Sequence, residues 1–356
     1  MVGRLLAGMR RNWFLIGMFS AVLLATVFPE FGSRDGAMHA DLAANLGISC
    51  IFLFHGMALS TQRLRDGMSR WKLHLLVQAL TFVIFPLLWF PFRLAFAGVI
   101  PEGLMLGFLY LCALPSTISS SVAMTAIAKG NVPAAIFNAT LSSLIGIFLT
   151  PAIVSLVTGF GGGVSLPLGH TIANVSLMLL LPFVVGQALR PFVAGFMTRY
   201  KKYINTFDKL VILMLVYGTF CDSVTSGLWT QNGFKELALT MVGAALLLAI
   251  GLFLSDRLAR RLGLPIDDRI TAIFCGSKKT LASGVPMARL LFGANPALGL
   301  IVLPLMFYHP LQLFVCSIVA GRFAARFERH PEAGPADFGG GVPALAMVRR
   351  SDTGRS

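Results

Sequence analysis

The stretch Phe274-Cys275-Gly276-Ser277-Lys278-Lys279-Thr280 places two adjacent lysines inside an apolar segment that is long enough to cross a membrane. A lysine at the centre of a bilayer costs roughly 2.5–3.5 kcal/mol on insertion scales, so such residues are rare and are commonly functional. The neighbouring glycine and small polar residues predict a helix that stops and restarts, with its break at Gly276 and Ser277. Secondary transporters commonly build a binding site at such a broken helix.

The composition predicts a polytopic membrane protein. Of the 356 residues, 56% are hydrophobic and only 12% are charged, whereas soluble domains carry about 25% charged residues. The net charge of +14 comes mostly from short loops and the two tails, as the positive-inside rule predicts, so we expect no nucleic-acid partner. The five cysteines form no CxxC pair, so neither a disulfide framework nor a metal site is indicated.

Ten apolar runs are long enough to cross a bilayer, at residues 12–29, 43–60, 72–92, 103–129, 132–158, 170–194, 205–225, 235–255, 267–292 and 295–321. The strongly basic loops fall on one side of these ten segments, which predicts that both termini are cytoplasmic. We expect an integral protein of a bacterial inner membrane, with an uncleaved first helix. Residues 322–356, rich in Arg, Glu, Gly and Pro, are predicted to form a disordered cytoplasmic tail.

The two halves of the chain repeat weakly, which predicts a first repeat at residues 1–158 and a second at 159–321. Similar Gly-Asn-Pro stretches open the fifth segment, at 130–133, and the tenth, at 293–296. The segment before each has polar, helix-breaking residues near its middle: Pro115 to Ser121 in the fourth, and Gly276 to Thr280 in the ninth. Since each half holds five helices, an odd number, the two repeats must be inverted with respect to one another.

The two predicted breaks define a candidate site for substrate or ion. Unwound backbone within a membrane is tolerated only where it is buried in protein or lines a cavity. Half-helix N-termini favour anions, while freed carbonyls and hydroxyls suit a hard cation such as Na⁺. The candidate residues are Ser116, Ser119, Ser120, Ser121, Asn138, Asp222, Ser277, Lys278, Lys279, Thr280 and His309.

Each candidate has a structural alternative. An ammonium at the break could replace a bound sodium ion, and burial beside a like charge favours the neutral form, so Lys278 or Lys279 could exchange a proton. Alternatively, one lysine only pins the broken helix. The serines could bond to their own helix, Asn138 could join helices, Asp222 could sit at the interface, and His309 could be a packing residue.

Several short motifs appear in order along the chain: Lys72-Leu73-His74-Leu75, Ala128-Lys129-Gly130-Asn131, Ala135-Ile136-Phe137-Asn138, Leu149-Thr150-Pro151, Thr219-Phe220-Cys221-Asp222, Ile273-Phe274-Cys275, Gly284-Val285-Pro286-Met287 and Tyr308-His309-Pro310. Over about residues 11–321 the chain resembles the bile acid:sodium symporter family. The resemblance is greatest to the divergent branch that holds the seventh member of solute carrier family ten and its bacterial relatives.

The resemblance implies an all-α membrane fold of ten helices in two inverted five-helix repeats, with the fourth and ninth segments crossing at their breaks. Segments one, two, six and seven would form a panel, and the other six a core that rocks against it. Sodium-coupled members carry Glu where Phe274 stands, a Ser-Asn pair where Ser120-Ser121 stands, and Gln where Lys278 stands. These departures leave sodium coupling open, and Lys278 or Lys279 would take the place of the ion.

These observations favour a secondary active transporter of a small organic anion, working by alternating access and coupled to Na⁺ or H⁺. No cofactor is expected other than Na⁺, and the expected partners are the anion and membrane lipid. An alternative is a regulatory membrane protein that has a transporter fold and transports nothing. An intramembrane enzyme is less favoured, because the sequence contains neither a GxSxG nor an HExxH motif.

Overall fold

A computed structural model describes residues 13–33, 40–58, 69–160, 168–225, 233–293 and 295–329. In these ranges the chain is helical and contains no β-strand. Most of the predicted tail, residues 330–356, lies outside the described residues, as do the N-terminal residues 1–12.

Fourteen α-helices are present in the described ranges, in the order α1 Trp13–Val27, α2 Pro29–Gly32, α3 Ala40–Ala58, α4 Trp71–Ala79, α5 Phe85–Ala95, α6 Glu102–Ala113, α7 Ile118–Ile127, α8 Val132–Phe160, α9 Leu168–Arg199, α10 Lys201–Thr225, α11 Gly233–Arg261, α12 Ile266–Ser277, α13 Gly284–Phe292 and α14 Leu298–Arg329. A π-helical turn, Leu80–Ile84, joins α4 to α5.

The long apolar helices make this chain an integral membrane protein. Among the described residues, five helical spans have the length and composition to cross a membrane, and they are Trp71–Ala95, Val132–Gly159, Lys201–Thr225, Gly233–Arg261 and Leu298–Phe327. The pair α6 and α7, bent by 59° at its break, would make a sixth. Shorter apolar helical stretches cover Ile16–Val27, Ala43–Ala58 and Leu177–Val193.

The helices pack as two groups. In the first group, α9 lies along α3, and α10 contacts α1, α3 and α9. Gly56 of α3 and Gly186 of α9 allow this approach, because a Cβ atom on either would collide with backbone of the opposite helix. Helices α4 to α8 and α11 to α14 form the second group, in which α14 packs on α6 and α11, and α12 packs on α4, α7, α8 and α11.

Two half-helices of the second group match closely. Helices α6 and α12 each have 12 residues, and each follows an N-cap proline, Pro101 or Pro265. Each ends at an extended residue, Leu114 with ψ 148° and Lys278 with ψ 147°. Both are followed by a short helix (α7 or α13) and then by a long one (α8 or α14).

The second break lies later in the chain than the sequence indicated. Helix α12 continues through Gly276 and Ser277, and residues 278–283 form the break. A Cβ atom on Gly276 would lie 2.7 Å from Leu80 Cδ1, so this glycine permits close packing against the π-helical turn. The Ser277 hydroxyl donates to the Ile273 carbonyl one turn earlier, a bond that is compatible with a continuing helix.

Helix α14 also continues past the predicted start of the tail. It ends at Arg329 rather than near 321. The stretch from Arg322 to Arg329 is rich in Ala and Arg, which are good helix formers, so the helix extends although its apolar run has ended.

Candidate functional site at the crossed helix breaks

The two helix breaks meet directly. Residues 114–117 separate α6 from α7, and residues 278–283 separate α12 from α13. The Thr280 backbone N–H donates to the Pro115 carbonyl at 3.0 Å, so main chain from one break pairs with main chain from the other. The sequence prediction that both segments are interrupted is therefore confirmed for the described residues.

Side chains of α8 satisfy backbone groups of the first break. Pro115 cannot donate a backbone hydrogen bond, and the Ser116 N–H donates to Ser142 Oγ at 2.9 Å. The Ala113 carbonyl accepts from Thr150 Oγ1 at 2.8 Å. Since an orphaned polar group is costly in a membrane interior, these two side chains make the break stable.

Side chains of α14 perform the same task at the second break. Tyr308 donates from its hydroxyl to the Ser277 carbonyl at 2.6 Å. Gln312 accepts from the Lys279 N–H at 2.9 Å and donates to the Lys279 carbonyl at 2.8 Å. In each half, therefore, the long helix that follows the break supplies partners for the backbone groups that the break has freed.

Two further contacts tie the halves together. Ser121 Oγ of α7 donates to the Phe274 carbonyl of α12 at 3.1 Å. The Tyr110 hydroxyl of α6 donates to the Gly284 carbonyl of α13. Each contact joins a helix next to one break with a helix next to the other.

Lys279 is fully buried, and its ammonium group is enclosed by carbonyl oxygens. Nζ donates to Thr81 O at 3.1 Å, Cys112 O at 2.8 Å and Leu114 O at 2.8 Å. It also lies 4.3 Å from the centroid of the Phe85 ring, which is a favourable cation–π distance. All three N–H bonds of the ammonium thus have an acceptor; we call this arrangement the carbonyl cage.

Three interruptions of regular helix free the cage carbonyls. In the π-helical turn the Phe85 N–H donates to Leu80 O, and the next candidate donor for Thr81 O would be Pro86, which has no N–H. Cys112 O lacks its helical donor because the Ser116 N–H is turned to Ser142. Leu114 is already extended, so its carbonyl also points out of the helix.

Lys278 is equally buried but is bonded differently. Its Nζ donates to Ser120 O at 2.8 Å and lies 5.6 Å from the Phe274 ring centroid. In the part of the chain with described coordinates, neither lysine forms an ion pair with a carboxylate. As far as the described residues extend, the site therefore carries basic side chains without an acidic counterpart.

The remaining serine and threonine candidates differ in their contacts. Ser116 and Ser121 are buried, with their hydroxyls 3.5 Å apart. The Ser120 hydroxyl donates to Thr117 Oγ1 at 3.4 Å, and it is the Ser120 carbonyl that holds Lys278. Ser119 is exposed on the opposite side of the first turn of α7. The structure thus brings Ser116, Ser120 and Ser121 to the breaks and turns Ser119 outwards.

Asn138 is buried in α8, but its amide is engaged with neighbouring helical backbone. Nδ2 donates to the Ala134 carbonyl of the same helix at 3.0 Å. The carbonyl of Asn138 accepts from Gln78 Nε2 of α4 at 3.2 Å. Only the second contact joins α4 to α8, and it uses the backbone carbonyl of Asn138, whereas the Asn138 side chain bonds within its own helix.

Asp222 belongs to a separate ionic contact. Its Oδ2 accepts from Arg289 Nη1 of α13 at 2.8 Å. The next residue, Ser223, accepts through its hydroxyl from the Gly299 N–H of α14 at 3.0 Å. These contacts fasten the C-terminal end of α10, which belongs to the first group of helices, to two helices of the second group.

His309 lies within reach of the second break through Gln312. Its Nδ1 is 3.1 Å from Gln312 Nε2, and its ring meets the Phe14 ring of α1 edge-on, with centroids 6.5 Å apart. His309 therefore packs against an aromatic ring and also contacts a residue that binds the second break, so each of its two predicted roles matches part of its environment.

Five side chains that complete the breaks were not among the candidates predicted from the sequence. They are Tyr110, Ser142, Thr150, Tyr308 and Gln312. Polar residues within apolar segments were a usable signal, especially Gln312, which is the polar residue nearest after the His309-Pro310 interruption. The sequence could not show which backbone groups these side chains would meet.

The chain is similar in sequence to a known family and to several named proteins. The SBF-like CPA transporter family matches residues 12–325. The chain is 44% identical over 313 residues to a Pseudomonas aeruginosa protein named Uncharacterized protein PA2026, which covers 88% of this chain and 93% of that protein. It is 40% identical over 317 residues to Putative symporter YfeH of Escherichia coli K12, covering 89% and 94%.

An animal relative is also similar over most of its length. Sodium/bile acid cotransporter 7 of Danio rerio is 30% identical over 320 residues, which cover 88% of this chain and 94% of the relative. The resemblance to the seventh member of solute carrier family ten is thereby confirmed. This chain belongs to the SBF-like CPA transporter family, and it is a membrane transporter of the bile acid:sodium symporter type rather than an enzyme.

Proposed function

We propose that this chain is a secondary active transporter of a small organic anion, that it works by alternating access, and that it resides in a bacterial inner membrane with both termini in the cytoplasm. The bacterial relatives support the inner membrane. The observation that carries the proposal is the carbonyl cage of Lys279 at the crossing of the two breaks.

The proposed architecture has ten membrane-spanning segments in two inverted repeats, residues 1–158 and 159–321. The equal lengths, proline N-caps and extended ends of α6 and α12 support this arrangement. So does the parallel use of α8 and α14 to satisfy the break that precedes each. Inverted repeats with a substrate site at their interface recur in secondary transporters.

The two groups of helices support a panel and a core. Helices α1, α3, α9 and α10 would form the panel, and the second group would form the core with both breaks. Alternating access would then be a rocking of the core against the panel. The contacts of Asp222 and Ser223 with α13 and α14 would join the two bodies in the state described here.

Lys279 is proposed to act as a built-in cation. Carbonyl oxygens of unwound helix commonly coordinate the coupling ion in such transporters, and here an ammonium group occupies three of them. The name of the Danio rerio relative includes sodium. We infer that the fixed positive charge of Lys279 replaces one mobile ion, so that transport needs no sodium at the cage. We favour proton coupling through Lys278. The alternative is coupling to sodium bound at another position.

The charge of the site supports an anionic substrate. Lys278 and Lys279 lie at the crossing without a carboxylate partner among the described residues, and the N-termini of α7 and α13 face the breaks. Helix N-termini carry a partial positive charge, so the summed potential attracts an anion.

Uptake by the purified protein in proteoliposomes tests the proposal. A panel of radiolabelled organic anions would be offered under an imposed Na⁺ gradient, an imposed pH gradient, or neither. We expect saturable uptake of at least one anion that persists when N-methylglucamine replaces Na⁺. No uptake in any condition would favour the regulatory alternative, and uptake that strictly requires Na⁺ would reject Lys279 as the built-in cation.

A further inference from the structure

Gln312 holds the backbone of Lys279 from both sides. The residue is fully buried on α14. Its Oε1 accepts from the Lys279 N–H at 2.9 Å, and its Nε2 donates to the Lys279 carbonyl at 2.8 Å. Lys279 lies in the non-helical stretch between α12 and α13, so these backbone groups have no helical partner. A single side chain therefore replaces both of the backbone bonds that the break removed.

The two bonds also fix which way the amide of Gln312 faces. A backbone N–H can only donate, so the side of the amide that meets it must be oxygen. Nε2 consequently faces the Lys279 carbonyl and, at 3.1 Å, Nδ1 of His309. Since an amide NH₂ group only donates, Nδ1 must accept. The imidazole of His309 is therefore neutral in this state and carries its proton on Nε2.

We propose that Gln312 is the positioning residue of the transport site: it sets the direction in which Lys279 enters the carbonyl cage, and it links the tautomer of His309 to the backbone of Lys279. Its transport consequence rests on the proposed function, whereas its effect on His309 does not. The neighbouring groups are the Phe14 ring from α1 and the ammonium of Lys278 from the second break.

Geometry explains why positioning matters at this residue. Lys278 and Lys279 are adjacent, yet their ammonium groups bond to different elements: Lys278 to Ser120 of α7, and Lys279 to carbonyls of the π-helical turn and of the C-terminal end of α6. In extended backbone, successive side chains point in opposite directions. Lys278 is extended, and Gln312 fixes the backbone of the next residue, so losing the two Gln312 bonds would let the lysines exchange or lose their acceptors.

The first experiment measures the tautomer and needs no substrate. The protein would be labelled with ¹⁵N-histidine and placed in lipid nanodiscs, and the signal of His309 would be assigned by its loss in His309→Asn. We expect a neutral imidazole with Nδ1 unprotonated in the wild type. In Gln312→Glu we expect the proton to move to Nδ1, because an ionised carboxylate accepts where the amide donated. A wild-type His309 protonated on Nδ1 would overturn the proposal.

The second experiment uses Gln312→Glu as a variant that acid can rescue. An ionised carboxylate still accepts from the Lys279 N–H but cannot donate to its carbonyl, and a protonated carboxyl can do both. We expect uptake of Gln312→Glu to fall on the order of ten-fold at alkaline pH and to recover to within about three-fold of wild type at acid pH. Gln312→Leu should stay low at every pH.

A matched control places a carboxyl elsewhere in the membrane. Gln187 lies in α9, in the other group of helices, and Gln187→Glu should keep the pH profile of the wild type. Equal uptake by wild type and Gln312→Glu at all pH values would reject the positioning role. If the wild type transports nothing but His309 shows the expected tautomers, the transporter proposal fails while the role of Gln312 in the site stands.

Discussion

Removing the ammonium group of Lys279 is the most direct test of the carbonyl cage. Lys279→Met keeps an unbranched side chain of similar length but removes the donor for Thr81 O, Cys112 O and Leu114 O. An orphaned buried acceptor costs about 1–3 kcal/mol, so three of them set an upper bound of roughly 9 kcal/mol. The variant also escapes the cost of burying an ammonium, which is several kcal/mol.

We therefore expect a net loss of roughly 3–5 kcal/mol in the free energy of unfolding of Lys279→Met. Lys278→Met is the matched control, because Lys278 is equally buried but its acceptor, Ser120 O, lies within α7 and keeps the helical N–H of Met124. This variant loses one hydrogen bond and avoids the same cost of burying an ammonium, so its free energy of unfolding should change little or rise. Unfolding by SDS in mixed micelles, followed by the fluorescence of the four tryptophans, measures both values.

A smaller side chain at position 279 provides a second test of the carbonyl cage. Lys279→Ala removes the ammonium and also leaves space beside the three carbonyls, which are suitable ligands for Na⁺. A ligand at about 100 times its Kd stabilises a protein by about 2.7 kcal/mol. We expect NaCl, but not N-methylglucamine chloride, to stabilise Lys279→Ala, with no such effect on the wild type. The cage interpretation is refuted if Lys279→Met is as stable as the wild type, or if Lys278→Met is the more damaging of the two.

Three other substitutions test further parts of the structure. Thr150→Val removes the donor for Ala113 O and should cost about 1–3 kcal/mol of stability, whereas Thr150→Ser should cost less; equal stability of the two would contradict the assignment. Lys129 has a φ of 59°, so Lys129→Gly should stabilise the protein by about 0.5–1 kcal/mol and Lys129→Ala should not, as thermal unfolding would show. Asp222→Ala removes a carboxylate from the poorly exposed Arg289 and should lower stability by about 2–4 kcal/mol; the exchange Asp222→Arg with Arg289→Asp should recover part of this, and no recovery would mean that the pair has no mutual role.

The membrane class and the positions of the segments followed from the sequence. The length of an apolar run and the charges of the loops beside it reflect the solvent that each residue prefers rather than distant contacts. Each of the ten predicted segments contains helix in the described residues. Pro115 also marked the first break correctly, because proline removes a backbone donor wherever it stands, whereas Ser119 to Ser121 lie within α7.

The second break shows where local reasoning reached its limit. Gly276 was expected to interrupt the helix, but it packs against Leu80 while the helix continues. The break falls instead at Lys278 and Lys279, residues with good helix propensity. Tertiary contacts override propensity here, since Gln312 and the cage carbonyls supply more hydrogen bonds to Lys279 than another helical turn would.

The candidate residues divide in the same way. Four candidates come together at the breaks: Ser116, Ser121, Lys278 and Lys279. Their position inside apolar segments was enough to identify them as candidates. Asp222 is equally unusual in sequence, yet it lies in an ion pair with Arg289, a partner 67 residues away. Nothing in the local sequence distinguishes a charge that faces a site from one that joins two helices.

By itself, the sequence determined that this chain lies in a membrane, where its helical segments are, and that two of them are interrupted, since these properties depend on each residue's own polarity and backbone chemistry. Only the tertiary structure decided which carbonyl oxygens receive each lysine and which glutamine holds the chain between them. A hydrogen bond needs a donor and an acceptor within about 3 Å, and residues as far apart as Thr81 and Lys279 reach that distance only when all the intervening helices have packed.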